Sequence, residues 1–114
     1  RALLAYDGSP TAKEALYVAT CLAAKWGLAL VVASVDNPGA LKHAQAYLEA
    51  HDARAEFVEK RGPAADAILQ TADEHQSDLV LMGSYGRHPL WEIMFDSTVN
   101  QVLRASRRAM LICR

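Results

Sequence analysis

Short apolar runs alternate with longer segments of helical period along the whole chain, and this alternation limits the possible folds more than any other feature. Ala2 to Tyr6 reads as a strand, followed by the turn Asp7-Gly8-Ser9-Pro10. Thr11 to Trp26 reads as a helix, with Ala15, Leu16, Ala19, Leu22 and Ala23 on one stripe. Ser9 is a suitable N-cap with Pro10 at the first helical position, and Gly27 a C-terminal stop. Leu28 to Val35 is a second strand, Asp36-Asn37-Pro38-Gly39 a turn, and Ala40 to His51 a second helix. Arg54 to Glu59 alternates apolar and polar residues and reads as a more exposed strand. Gly62-Pro63 opens a third helix, Ala64 to His75, and Asp78 to Met82 is a fourth strand. A loop from Gly83 to about Phe95 precedes a fourth helix, Ser97 to Ala105, and the chain closes on a fifth strand, Ala109 to Cys113.

Strands that are apolar almost throughout need cover on both faces, which parallel sheets obtain from their crossover helices. The expected fold is therefore a single α/β domain over residues 1–114, a doubly wound five-stranded parallel sheet with four helices. The half-exposed third strand suits an edge, which gives the order 3-2-1-4-5. In that order the chain reverses direction between strands 1 and 4, and ligands bind outside the carboxyl ends of strands at such a switch. The loops leaving those two strands are Asp7-Gly8-Ser9 and Gly83-Ser84-Tyr85-Gly86, the most glycine-rich turns available.

Composition removes several other readings. Twelve basic residues stand against thirteen acidic ones, so no global field draws the chain to nucleic acid or to an anionic membrane. The longest apolar run, Leu28 to Ala33, is strand-sized and far short of a membrane span. No signal peptide is expected from these residues, and a start at Arg1 is expected of a piece of a longer polypeptide. Cys21 and Cys113 lack metal-like spacing and are expected to be buried thiols in a reducing compartment, with the cytoplasm as the location.

The loop after strand 4 carries the chemistry. Gly83 lets backbone approach a ligand with no Cβ in the way, and Gly86 permits a tight turn that aims successive N–H groups inward. Nine residues on, from Arg87 to Phe95, come Asp96, Ser97 and Thr98, where a helix start offers free amides and the positive end of its dipole to an anion. Arg87 is placed to add a charge-assisted contact to a phosphate. The same residues also fit a plainer reading, in which the glycines shape a loop and Asp96 or Ser97 caps a helix. Asp7 is likewise open to two readings, ligand contact or turn structure. The histidines form no ligand set: His43 and His51 share helix 2, His75 ends helix 3, and His88 lies in the loop. Arg104, Arg107 and Arg108 cluster where they complement the end of helix 4.

Gly83-x-x-Gly86, nine residues, then Ser97 in register resembles the ATP-binding signature of the universal stress protein family, Gly-x-x-Gly, nine residues, then Gly-Ser or Gly-Thr. The opening ALLAYDGS, the stretch GPAADAILQTADEHQSDLVLMGSYGR and the closing STVNQVLRASRRAMLICR extend the resemblance over essentially the whole chain. The resemblance implies that Asp7 lies against an adenosine, with apolar contacts to adenine near Val35 and at Met82. It implies that Gly83 and Gly86 face the phosphates, with Ser97 and Thr98 capping them from the helix start. It further implies a stress-associated regulatory domain whose cofactor is ATP or another adenine nucleotide, and pairing through the last strand as a homodimer or with a tandem partner.

Two departures qualify that pattern. Asp96 stands where the signature has its third glycine, and a carboxylate 4 Å from a phosphate costs roughly 4 kcal/mol at an effective dielectric near 20. Either Asp96 binds Mg²⁺ that bridges to the nucleotide, or its side chain turns away and caps the helix. The link between strand 2 and helix 2, DNPGALKHAQAYL, is also shorter than in many members. The competing function is a nucleotide-free dimerisation or interaction module with the phosphate site disabled by Asp96. An enzyme is a third reading, and at most slow ATP hydrolysis or autophosphorylation is expected, because no general base is evident.

Overall fold

The computed structural model describes residues 1–83, 102 and 108–113. In chain order the elements are β1 (Ala2–Ala5), α1 (Pro10–Trp26), β2 (Leu30–Val35), α2 (Pro38–Ala50), β3 (Glu56–Lys60), α3 (Ala64–Glu74), β4 (Leu79–Gly83) and β5 (Ala109–Cys113). All strands pair in parallel, in the order β3-β2-β1-β4-β5, as the sequence pattern predicts. Three helices fall within the described residues. The expected fourth, Ser97 to Ala105, lies outside them except for Val102, which is helical and fully buried.

Side chains of successive strand residues point to opposite faces, so each central strand feeds two cores. Ala2, Leu4 and Tyr6 of the first strand segment join Leu30, Val32 and Leu81 beneath Leu16 of α1 and Leu48 of α2. Leu3 and Ala5 join Ala33, Val80 and Met82 on the other face, against Ile68 and Ala72 of α3 and Val102. β1 is buried along its whole length because it lies at the centre of the sheet with helices on both sides. β3 is an edge strand, and its Glu56 and Glu59 are exposed.

Local chemistry sets the helix ends. Ser9 Oγ accepts from the Ala12 amide at 3.2 Å with Pro10 following it, and Gly27 closes α1 at φ 63°, donating to Ala23 O. α2 starts two residues before the expected Ala40, because Asn37 caps it and Pro38 takes the first position. Cys21 is exposed rather than buried. It follows Tyr17 by one helical turn, on the solvent face, whereas the buried stripe of α1 runs through Ala12, Ala15, Leu16, Ala19 and Thr20. Cys113 is half-buried. Arg108 binds the far end of α3, with Nε donating to Ser77 O at 2.7 Å and Nη2 to Asp73. Arg104 and Arg107 lie outside the described residues. No helix among the described residues is long and apolar enough to cross a membrane.

Candidate functional site

Register aligns the carboxyl ends of three strands. Ala5 pairs with both Ala33 and Met82, so Asp7, Val35 and Gly83 lie within two residues of one line across β1, β2 and β4. β1 leads away through α1 to β2 on one side, while β4 returns on the other, and the divergence of these connections opens a cleft. Its volume is about 100 Å³. Asp7, Val35, Met82 and Gly83 all line it, together with Ala5, Tyr6 and Ala33 from the sheet and Ala64 and Ile68 from α3. The structure thus brings together four of the residues singled out in the sequence. Gly86, Arg87, Asp96, Ser97 and Thr98 lie outside the described residues.

The turn after β1 is built from its own side chains. Asp7 Oδ1 accepts from the Ser9 amide at 2.9 Å, an Asx turn, and Gly8 takes φ +80°, a conformation that disfavours any side chain. The amides of Ser9 and Ala12 are both donated within this bend. Asp7 itself is exposed, and no bond to its Oδ2 occurs among the described residues.

The β2–α2 connection grips this turn. Tyr6 N donates to Ala33 O at 2.9 Å, Ser34 Oγ donates to Tyr6 O at 2.7 Å, and Asn37 Nδ2 donates to Asp7 O at 3.2 Å. Asn37 therefore serves two partners, since its Oδ1 also caps α2 by accepting from Ala40 N at 3.1 Å. Burial, with smaller contributions from Tyr17 and Asp7, pushes the Tyr6 phenol from 10.0 up to about 12. The phenol therefore keeps its proton and donates it to His43 Nδ1 at 2.7 Å when that imidazole carries its own proton on Nε2. Sequence reasoning missed both residues. The available signal was a lone tyrosine closing an aliphatic strand next to Asp7.

Packing places a demand of its own on Gly83. A Cβ there would fall on the Ala12 amide nitrogen and within 2.6 Å of Thr11 Oγ1. Packing of β4 against the first turn of α1 thus accounts for this glycine.

A larger groove of about 580 Å³ opens at the opposite, amino-terminal end of the sheet. Several of its polar side chains bind one another, with His75 Nδ1 3.3 Å from Glu56 and Arg1 Nη1 donating to Gln76 at 2.9 Å. The helices that end there present carbonyl dipoles, which do not attract an anion. Among the described residues no group of three or more His, Cys, Asp or Glu side chains is arranged to hold a metal ion.

No protein of curated function matches the chain. A universal stress protein solved in complex with cAMP is 26% identical, with a TM-score of 0.85 over 99% of this chain and 94% of that one. A universal stress protein from Archaeoglobus fulgidus DSM 4304 is 27% identical with a TM-score of 0.86, and this chain, covered completely, corresponds to 43% of it. A protein of the universal stress protein family from Burkholderia pseudomallei is 26% identical, with a TM-score of 0.74 over 97% of this chain and 92% of that one. The model of the universal stress protein family matches residues 36–114, which begin just after β2 and include α2, β3, α3, β4 and β5. With the fold and the sequence in agreement, the chain belongs to the universal stress protein family.

Proposed function

We propose that this chain is a stress-associated regulatory domain that binds an adenine nucleotide, ATP or AMP, at the carboxyl ends of β1 and β4. The observation that carries this reading is the convergence of Asp7, Val35, Met82 and Gly83 on one cleft at the point where the sheet changes winding direction. The related protein solved with cAMP shows that a fold this similar accommodates an adenine nucleotide. At about 100 Å³ the cleft is well below the roughly 300–1,000 Å³ that encloses a whole small ligand. It holds a flat base against Val35, Met82 and Ile68, and the remainder of the nucleotide lies over its mouth. Asp7 Oδ2 accepts from a ribose hydroxyl while Oδ1 keeps the turn. The phosphates fall to Gly86, Arg87, Ser97 and Thr98, with Asp96 either repelling them or joining them through Mg²⁺.

Calorimetric titration with ATP and AMP, each with and without Mg²⁺, tests this directly. Binding that requires Mg²⁺ supports the metal bridge at Asp96. Absence of binding that Asp96→Gly restores supports the competing reading, an interaction module with a disabled phosphate site. Absence of binding in both proteins overturns the nucleotide reading. One observation favours that second function as an addition. β5 is an edge strand, and its Leu111 is 39% exposed, which offers an apolar edge for pairing with a second copy or a tandem domain.

A further inference from the structure

We infer that His43 is a positioning residue for the nucleotide cleft, acting through Tyr6 on the Asp7 turn. This deepens the proposed function and rests on it for its binding arm alone. Tyr6 borders the cleft, yet its ring belongs to the apolar cluster beneath α1 and α2, on the other face of the sheet. It is 2% exposed, so its hydroxyl has little access to water and depends on a protein partner. That partner is His43, 37 residues away, at 2.7 Å, with the two rings stacked 9° from parallel at a centroid distance of 5.9 Å.

Among the described residues, the other anchors that tie this turn to a distant segment come from the β2–α2 unit and act on backbone. They are Ala33 O, Ser34 Oγ and Asn37 Nδ2. The Tyr6–His43 bond is the side-chain anchor of the set, and it ties the turn to the second turn of α2 rather than to its first residue. It therefore fixes the rotation of the chain at Tyr6, which sets the direction in which the next residue, Asp7, presents its carboxylate.

Amide hydrogen exchange on the nucleotide-free chain reads this turn without any ligand, because the Ser9 amide is donated to Asp7 Oδ1. His43→Phe keeps a ring and removes the acceptor, and Tyr6→Phe removes the donor. Each is expected to speed exchange of the Ser9 amide roughly three- to tenfold, the equilibrium weight of one hydrogen bond. The double variant exchanges no faster than either single one, since the two groups act as a pair. His43→Asn, whose amide oxygen stands as far from Cβ as Nδ1 does, stays within roughly twofold of wild type. Unchanged Ser9 exchange in both single variants, or effects that add in the double variant, overturns the inference. In parallel titrations with AMP, affinity falls by the same factor in both Phe variants and returns in His43→Asn. Wild-type protein that binds neither ATP nor AMP defeats the proposed function, while the exchange data still decide the role of His43.

Discussion

Gly83 and Ala12 approach so closely that one added carbon on the glycine would land on the helix amide. The neighbours are backbone, which cannot rotate aside, so the clash is relieved only by moving β4 from α1. Gly83→Ala is expected to cost about 2–3 kcal/mol. Urea denaturation of the two proteins measures it, and equal midpoints would refute the close packing.

Asp7 combines a turn role and a ligand role that two substitutions separate. Asparagine retains an oxygen for the Ser9 amide and loses the charge, whereas alanine loses both. Asp7→Asn is expected to keep wild-type stability while weakening AMP binding, and Asp7→Ala to lose about 1 kcal/mol of stability as well. Calorimetry and thermal melting of the pair check this. Wild-type affinity in Asp7→Asn would show that the carboxylate makes no contact with the nucleotide.

Tyr6 gives the protein an alkaline signature. Its folded phenol ionises at about 12, against 10.0 for an ordinary tyrosine, chiefly because it is buried. Below pH 10 both states hold the proton and stability is unaffected. As pH rises towards 12 the unfolded chain releases the proton first, so folding loses up to about 3 kcal/mol across that window. Tyr6→Phe is expected to remove this part of the decline. Ultraviolet titration of the four tyrosines would likewise lose its latest component in that variant. Survival of that component would reassign it to another tyrosine.

The two thiols differ in reach. Cys21 lies open on α1, whereas Cys113 is half-buried in β5, where burial, and to a lesser degree Glu14, pushes its thiol up. A disulfide reagent at neutral pH is expected to modify Cys21 in a fast phase and Cys113 in a slow one. Cys21→Ser removes the fast phase. Loss of the slow phase instead would reverse the assignment.

Strand order, the edge position of β3 and the caps at Ser9, Gly27 and Pro10 were all legible in the sequence, because each depends on residues adjacent in the chain or on a fixed period. Asp7, Val35, Met82 and Gly83 could be placed near one another from strand order alone, since parallel register carries equivalent strand ends to one level. Other features follow from contacts between distant segments, which no local pattern encodes. The partnership of Tyr6 with His43, the double use of Asn37, and the packing demand that makes residue 83 a glycine are of this kind. Cys21 shows the same limit on a smaller scale, because a helix is apolar enough on two sides to hide which one faces the sheet until the sheet is present. Sequence determined the elements and their order; only packing in three dimensions decided which side chains hold the rim of the cleft in place.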